Sequence, residues 1–189
     1  MIKLGVLGST NGTDLQPILD EIASGDLNAN VSVVISNNQN AYILKRAEKN
    51  NVPSFFISHK NQTREEFDNK LTQLFLKHKV QLILLIGFMR ILSSKFCLDW
   101  KDKILNVHPS LLPKYAGGMD TSVHEEVIKN KDKETGCTIH LVTAALDSGP
   151  ILIQKKCSVN QLDNAKTLKE KVQKLEGQAF LEAIRLFNQ

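Results

Sequence analysis

Apolar runs of strand length alternate with stretches of helical periodicity along most of this chain. The runs at residues 2–7 and 31–35 are each followed by a segment predicted to form a helix, the first after a polar turn. Residues 82–86 are apolar without interruption, which is typical of a central parallel strand buried on both faces. The alternation predicts an α/β fold, with a doubly wound, mostly parallel sheet and helices on both faces.

The remaining predicted elements continue this alternation to the end of the chain. Strands are predicted for residues 53–57, 104–108, 137–142 and 151–157, and a closing amphipathic helix carries apolar residues between 168 and 186. A long helix is predicted to begin near Thr63, because Thr63 and Glu66 have the spacing of a capping box. With 189 residues and no repeat or linker, the chain is predicted to be one domain, residues 1–189.

The composition argues against several classes of protein. The formal net charge is +4, but the lysines are scattered, so no nucleic-acid-binding surface is indicated. The three cysteines, Cys97, Cys137 and Cys157, lack the spacing of a disulfide framework or a zinc site, so no metal is expected. No apolar run approaches a membrane span, and the first residues lack the pattern of a secretory signal. A cytoplasmic protein is therefore expected.

The turn after the first strand has a composition that suits phosphate binding. It reads Gly8-Ser9-Thr10-Asn11-Gly12-Thr13-Asp14. A helix that follows such a turn presents free N–H groups and the positive end of its dipole. The turn lacks the G-x-G-x-x-G pattern of dinucleotide-binding folds and the Gly-Lys-Ser/Thr ending of a triphosphate loop. The alternative is a turn in which Thr13 or Asp14 caps the helix and nothing binds.

A second group of polar residues lies at the predicted carboxyl end of the strand at 104–108. Alternation along that strand places Asn106 and His108 on one face, and ligands of open α/β sheets bind at such strand ends. An amide and an imidazole could stabilise an oxyanion and transfer protons. Asp147 lies in a turn between two predicted strands and would raise the pKa of His108 if the two were in contact. The alternatives are a structural polar pair and an aspartate that accepts only local backbone hydrogen bonds.

Two other histidines and one long segment bear on the site. His140 lies in the middle of a predicted strand, where it either lines the site or is a satisfied interior histidine. His124 is expected to be exposed on a short helix. Residues 109–120 form the one long stretch without clear periodicity and are expected to be a functional lid. Neither a nucleophile elbow nor H-E-x-x-H occurs, which argues against serine hydrolases and zinc proteases.

Four motifs, in order along the chain, resemble those of the glycinamide ribonucleotide formyltransferase family over almost the full length. They are Gly12-Thr13-Asp14-Leu15-Gln16, Phe88-Met89-Arg90-Ile91-Leu92, Asn106-Val107-His108-Pro109-Ser110-Leu111-Leu112-Pro113 and Leu146-Asp147-Ser148-Gly149-Pro150. In that order, they look like the family's phosphate turn, folate-pocket segment, catalytic signature and aspartate turn.

The resemblance implies a role for each group of residues. The catalytic residues would be Asn106, His108 and Asp147. The residues that hold the ribonucleotide would be Gly12, Thr13, Asp14, Gln173 and Glu176. The residues that hold the folate would be Met89, Arg90, Ile91, Leu92, Asn106 and Asp147. The peptide bond before Pro113 would be cis. Residues from about 1 to 100 would form a ribonucleotide-phosphate half, and residues from about 101 to 189 a folate and catalytic half.

The resemblance also implies a reaction. The formyl group of the co-substrate 10-formyltetrahydrofolate would pass to the amine of glycinamide ribonucleotide, without a metal ion, in de novo purine biosynthesis. The enzyme would be a monomer or a homodimer with no nucleic-acid or membrane partner. Rivals are a formate-releasing hydrolase, transferases acting on methionyl-tRNA or a nucleotide sugar, and a binding module without catalysis. The segment Tyr115-Ala116-Gly117-Gly118 differs from the Arg-Gly-Ala-Ala-Pro-Ile-like sequence usual in the methionyl-tRNA and sugar enzymes.

Overall fold

Strands and helices alternate along the chain as the sequence predicts. A computed structural model describes residues 1–119 and 121–188, and seven strands and six helices lie within them. In chain order these are β1 (Ile2–Leu7), α1 (Leu15–Ser24), β2 (Ala29–Ser36), α2 (Tyr42–Lys49), β3 (Ser54–Phe56), α3 (Arg64–Lys77), β4 (Leu82–Leu85), α4 (Ser94–Asp99), β5 (Ile104–His108), α5 (Thr121–Lys129), β6 (Glu134–Leu141), β7 (Ile151–Ser158) and α6 (Ala165–Leu186). None of these described helices is long and apolar enough to cross a membrane.

All seven strands join one sheet, in the order β3-β2-β1-β4-β5-β6-β7. The pairs from β3 to β5 are parallel, whereas β6 pairs antiparallel with β5 and β7 pairs antiparallel with β6. Every residue of β4 is buried, as expected for a central strand covered on both faces. The predicted doubly wound, mostly parallel sheet is confirmed.

Each face of the sheet packs against its own set of helices. On one face, side chains of α1, α2 and α6 such as Ile18, Ile43 and Phe180 are fully buried. On the other face, Phe67 of α3 and Phe96 of α4 are buried in a second apolar cluster. Burial of one such large side chain stabilises the fold by about 1.5–3 kcal/mol, so these two clusters hold the helices in place on the sheet.

Helix α3 begins as the sequence predicts. The Thr63 hydroxyl accepts a hydrogen bond from the Glu66 backbone N–H at 3.2 Å, and the Glu66 carboxylate accepts one from the Thr63 N–H at 2.8 Å. This reciprocal pair satisfies two backbone donors that the first helical turn leaves free.

Several boundaries differ from the prediction. Strand β3 is shorter than predicted and begins after Pro53, which has no N–H to donate to a neighbouring strand. Strand β6 begins at Glu134, before the predicted start at Cys137, because the three preceding residues pair with the end of β7. The six-residue helix α4 was not predicted, and it begins where the Ser93 hydroxyl accepts a hydrogen bond from the Phe96 N–H at 3.2 Å.

The strand order reverses at β1, which lies between β2 and β4. The segments that follow β1 and β4 therefore lead to helices on opposite faces of the sheet and leave a crevice at the carboxyl ends of these strands. The Ser9 N–H donates a hydrogen bond to the Gly87 carbonyl at 3.0 Å and joins the two segments at the crevice. This crevice is where polar residues from distant parts of the chain meet.

Candidate active site

A cavity of about 860 Å³ opens at the carboxyl ends of β1, β4 and β5. Its walls come from the segments after these strands, from residues 143–147 and from one face of α6. The cavity is lined by every residue that the family resemblance assigned to a role: Gly12, Thr13, Asp14, Met89, Arg90, Ile91, Leu92, Asn106, His108, Asp147, Gln173 and Glu176. The fold thus brings both ends of the chain to one site.

The first turn forms one end of the cavity. Gly12 has a φ of +61°, and a Cβ there would lie 2.3 Å from Cγ1 of Ile43, so the turn requires glycine at this position. The Arg46 guanidinium donates a hydrogen bond to the Asn11 carbonyl at 2.8 Å and holds the turn from the side of α2. The N-terminus of α1 follows directly and is suited to bind an anion.

Asp14 occupies the N-cap position of α1, but its side chain makes no capping hydrogen bond. The interpretation in which the Asp14 side chain caps the helix is therefore wrong. Its carboxyl group instead contacts the carboxyl group of Glu176 on α6, and both residues are buried. Burial raises the pKa of Asp14 to about 7, against the opposing effects of the hydrogen bond with Glu176 and the charge of Arg46.

Close packing of α6 against α1 allows this contact. Gly177, next to Glu176, lies so near α1 that a Cβ on it would be 2.7 Å from Cγ of Pro17. A larger residue at 177 would push the two helices apart and separate the two carboxyl groups. Gln173, one turn earlier on α6, lines the same cavity.

The opposite wall brings together Asn106, His108 and Asp147. Nδ1 of His108 lies 3.3 Å from Oδ2 of Asp147, and both side chains are almost fully buried. The backbone N–H of Gly117 donates a hydrogen bond to the same Oδ2 at 2.8 Å. Asp147 therefore contacts more than its own turn, and the interpretation that it accepts only local backbone hydrogen bonds is wrong.

His140 lines the cavity and contacts two of these groups. Its Nδ1 lies 3.0 Å from the Leu141 carbonyl, which can only accept, so Nδ1 carries a proton. In the neutral ring, Nε2 then accepts a hydrogen bond from the Asn106 amide at 3.1 Å. Oδ1 of Asp147 is farther from Nε2, at 3.5 Å. Of the two interpretations of His140, lining the site is the one the structure supports.

The pKa values of His108 and Asp147 are shifted for different reasons. Burial lowers the pKa of His108 and outweighs the Asp147 carboxylate and the Tyr115 carbonyl, which both act to raise it. The expected effect of Asp147 on the pKa of His108 is therefore present, although burial makes the net shift downward. Burial acts to raise the pKa of Asp147, but the contact with His140, the hydrogen bond from the Gly117 N–H and the nearby imidazoles outweigh it and lower that pKa.

The segment after β5 folds back over His108. Nε2 of His108 lies 2.9 Å from the Tyr115 carbonyl, so in this conformation the ring nitrogen is turned toward the segment. The Tyr115 hydroxyl donates a hydrogen bond to Asp132 at 2.8 Å, which anchors the segment to the turn after α5. The Leu112-Pro113 bond is cis, as the resemblance implied. Asp120, the last residue of the predicted lid, lies outside the described residues.

The segment after β4 supplies half-exposed apolar surface to the cavity. Met89 and Ile91 are 42% and 54% exposed, which suits contact with a flat apolar ring. The Met89 N–H donates to the Ser9 hydroxyl at 2.8 Å, and Arg90 packs its guanidinium over the Phe67 ring at 4.9 Å. These contacts fix the segment on both sides.

Other cavity residues were not predicted from the sequence. Arg64 and Lys169 line the cavity, and no pattern in the sequence distinguishes them from the other basic residues. His124 also lines it and is only 1% exposed, so the expectation that it is exposed was wrong. The apolar spacing of Val123 and Val127 could have placed α5 against the core and His124 beside it. Within the described residues, no group of His, Cys, Asp and Glu side chains is placed to hold a metal ion.

Comparison with known proteins gives the family. Residues 2–184 match the family described as formyl transferase. Over 187 residues the chain is 40% identical to a trifunctional purine biosynthetic protein adenosine-3 of Chironomus tentans, covering 97% of this chain but only 13% of that protein. It is 37% identical to a phosphoribosylglycinamide formyltransferase of Haemophilus influenzae, and the match covers 100% of this chain and 88% of the relative.

The fold is also similar to a solved structure. The crystal structure of glycinamide ribonucleotide transformylase 1 from Symbiobacterium toebii superposes with a TM-score of 0.94 at 36% identity, and the match covers 99% of this chain and 87% of that one. This chain belongs to the formyl transferase family.

Proposed function

We propose that this chain transfers the formyl group of 10-formyltetrahydrofolate to the amine of glycinamide ribonucleotide, in de novo purine biosynthesis. The products would be formylglycinamide ribonucleotide and tetrahydrofolate. The observation that carries the proposal is the convergence of Asn106, His108 and Asp147 on one wall of a cavity whose other end is the N-terminus of α1. The similarity to the Haemophilus influenzae relative over nearly its whole length supports the same activity.

The ribonucleotide would bind at the end of the cavity formed by the first turn. Its phosphate would lie against the backbone of Gly12, Thr13 and Asp14, where the dipole of α1 favours a negative charge. Gln173 and Glu176 would hold its ribose from the face of α6. The amine would then point toward the wall that carries Asn106 and His108.

The folate would bind between the segment after β4 and the turn at 143–147. The apolar surfaces of Met89 and Ile91 would contact its ring system, and backbone groups from Arg90 to Leu92 would hydrogen-bond its polar edge. Asn106 and Asp147 would contact the end that carries the formyl group. A cavity of about 860 Å³ has room for such a ligand beside a ribonucleotide.

The chain's own groups would stabilise the charge that develops on the formyl oxygen. The Asn106 amide has two N–H bonds, and one of them points to Nε2 of His140, which leaves the other for the oxyanion. His108 would be the second donor. Because Nε2 of His108 now faces the Tyr115 carbonyl, the segment at 109–119 must shift before His108 can reach the substrate.

One bond forms and one breaks in the transfer. The amine nitrogen bonds to the formyl carbon, the bond from that carbon to the folate nitrogen breaks, and one proton passes from the amine to the departing nitrogen. Asp147 and His108, 3.3 Å apart, would order a water molecule that carries this proton. Every group in this scheme comes from one chain.

We propose that residues 1–189 act as one domain, with a ribonucleotide-phosphate half at about 1–100 and a folate and catalytic half at about 101–189. The halves are not independent, because Met89 to Leu92 come from the first half and Gln173 and Glu176 from the second, yet all line one cavity. Both ligands would therefore contact both halves.

The test is the absorbance change on mixing the protein with a 10-formyl folate, with and without glycinamide ribonucleotide. Deformylation that requires the ribonucleotide and falls at least 100-fold in His108→Ala is expected. His78→Ala, which removes a histidine outside the cavity, is the matched control and should keep the activity. Deformylation without the ribonucleotide would indicate a hydrolase, and binding without turnover would indicate a module that lacks catalysis.

A further inference from the structure

Two buried carboxyl groups face each other at the ribonucleotide end of the cavity. Asp14 is 6% exposed and Glu176 is 7% exposed, and their side chains are within hydrogen-bonding distance of each other. Among the described residues, no N–H or hydroxyl group donates to Oδ1 of Asp14. Two ionised carboxylates this close would repel each other strongly in a buried site. One proton held between them removes the repulsion, because a protonated carboxyl group can donate a hydrogen bond to the other carboxylate.

Four other titratable side chains, on α2, β6, α6 and α5, interact electrostatically with the pair or line the same cavity. Arg46 on α2 favours the ionised form of Asp14, but its guanidinium is hydrogen-bonded to the Asn11 carbonyl and the Gln16 side chain. Cys137 on β6 is neutral, because burial raises the pKa of its thiol and the charges of Glu176 and Asp14 raise it further. Lys169 on α6 and His124 on α5 also line the cavity.

We propose that Asp14 and Glu176 share one proton in the form of the protein that binds the ribonucleotide, and that loss of this proton weakens binding of the phosphate. This proposal rests on the function proposed above, which supplies the phosphorylated ligand. With the proton, the pair carries one negative charge; without it, the pair carries two, next to the helix N-terminus that should attract a phosphate. The pair would thus set the pH range in which the ribonucleotide binds.

The shared proton has a quantitative consequence for binding. If only the protonated pair is competent, the apparent Kd rises about tenfold for each pH unit above the pKa at which the pair loses its last proton. Burial raises the pKa of Asp14 to about 7, so this rise should begin near neutral pH. In Asp14→Asn the charge at the site stays constant, because the amide cannot ionise and can donate to Glu176.

A titration without any ligand tests the proton itself. The carboxyl carbon of Asp14, followed by carbon-13 NMR, should titrate near pH 7 in the wild-type protein. In Glu176→Gln the partner becomes an amide donor, so the Asp14 titration should move to lower pH while the dispersion of the spectrum reports that the fold is kept. An Asp14 carboxyl that titrates near 4, the ordinary value of aspartate, in the wild type would overturn the shared proton.

Calorimetric titration with glycinamide ribonucleotide tests the consequence for binding. Between about pH 6 and pH 8.5 the Kd of the wild type should rise toward tenfold per pH unit relative to that of Asp14→Asn. Ionisations of the ligand occur in both proteins, so the difference between them reports on the pair. Parallel pH dependences would refute the proposal. If neither protein binds the ribonucleotide at any pH, the proposed function is wrong, and the NMR titration still decides whether the pair holds a proton.

Discussion

The cavity contains two buried aspartates whose surroundings are opposite. Asp147 accepts a hydrogen bond from the Gly117 N–H at 2.8 Å and has two imidazoles at 3.3 and 3.5 Å, and its pKa is lowered. Asp14 is buried and faces a second carboxyl group, and its pKa is raised to about 7. Burial acts to raise the pKa of both residues. At Asp147 the Gly117 N–H and the two imidazoles outweigh burial, whereas at Asp14 the hydrogen bond with Glu176 and the charge of Arg46 do not.

The contrast fits the chemistry proposed for each end of the cavity. A permanent carboxylate beside His108 stabilises the imidazolium form and can order water for a proton transfer. A carboxyl pair that keeps a proton limits the negative charge where a phosphate is to bind. The same residue type therefore has two roles in one cavity, and substitution by asparagine distinguishes them, because it removes the charge and nearly keeps the shape.

The largest effect is expected for Asp147→Asn. Turnover should fall by about 100- to 10,000-fold, because the variant loses the carboxylate that stabilises the imidazolium and orders water. Asp147 raises the pKa of His108, so its removal lets His108 lose its proton at lower pH. In a plot of kcat against pH, the fall of kcat caused by loss of the His108 proton should therefore occur at lower pH in the variant. Measuring turnover over a series of pH values tests this.

Asp163→Asn is the matched control for this change. Asp163 is also a carboxylate whose pKa is lowered by its partners, chiefly a hydrogen bond from Lys171, but it lies outside the cavity. Its substitution should leave the pH profile in place. An equal loss of turnover in both variants would mean that the effect of Asp147→Asn is structural.

The next largest effect is on stability: Asp14→Asn and Asp147→Asn should change the free energy of unfolding in opposite directions. The folded-state pKa of Asp14 lies above its ordinary value of 3.8, so ionisation costs stability as the pH rises from about 4 to about 7, by at most about 4 kcal/mol. Asp14→Asn should therefore gain stability relative to the wild type as the pH rises, and the gain should level off above about pH 7.

The pKa of Asp147 is lowered instead, so the Asp147 carboxylate stabilises the fold above its unfolded pKa, and this stabilisation is lost as the pH falls. Asp147→Asn should be the less stable protein at neutral pH, with a deficit that shrinks below about pH 4.

Urea unfolding of the two variants and the wild type across this pH range measures both trends. The comparison between the two aspartates would fail if both variants changed stability with the same sign. The comparison would be sharpened if Glu176→Gln gained the same stability as Asp14→Asn when the pH rises, because either substitution leaves one carboxyl group at the site.

The sequence predicted the sheet and the wall around His108 because both depend on short-range patterns. Uninterrupted apolar residues predicted the buried strand β4, and alternation along β5 predicted that Asn106 and His108 share a face. The Thr63 and Glu66 spacing predicted the start of α3 because a capping box lies within one helical turn.

The features that were missed depend on contacts between distant parts of the chain. Asp14 and Glu176 meet because Gly177 lets α6 approach α1, and neither residue carries a local signal for the other. The Tyr115 contact to His108 uses a backbone carbonyl, which every residue has, so no side-chain pattern could predict it. The burial of His108 also depends on distant contacts, so the sequence could not predict that burial would outweigh Asp147 and lower the pKa of His108.

The smallest effect is expected at Ser9, which joins the first turn to the segment after β4. Its hydroxyl accepts from the Met89 N–H at 2.8 Å and donates to Asn37 at 2.6 Å. Ser9→Ala leaves the Met89 N–H without this partner, at a cost of about 0.5–1.5 kcal/mol, so the KM for the folate should rise about two- to tenfold with little change in kcat. Steady-state kinetics with each ligand varied in turn measures this, and Ser9→Thr, which keeps the hydroxyl, should restore the folate KM. A larger rise in the ribonucleotide KM than in the folate KM would mean that Ser9 acts mainly on the first turn, and that the two ends of the cavity are less separate than their two aspartates suggest.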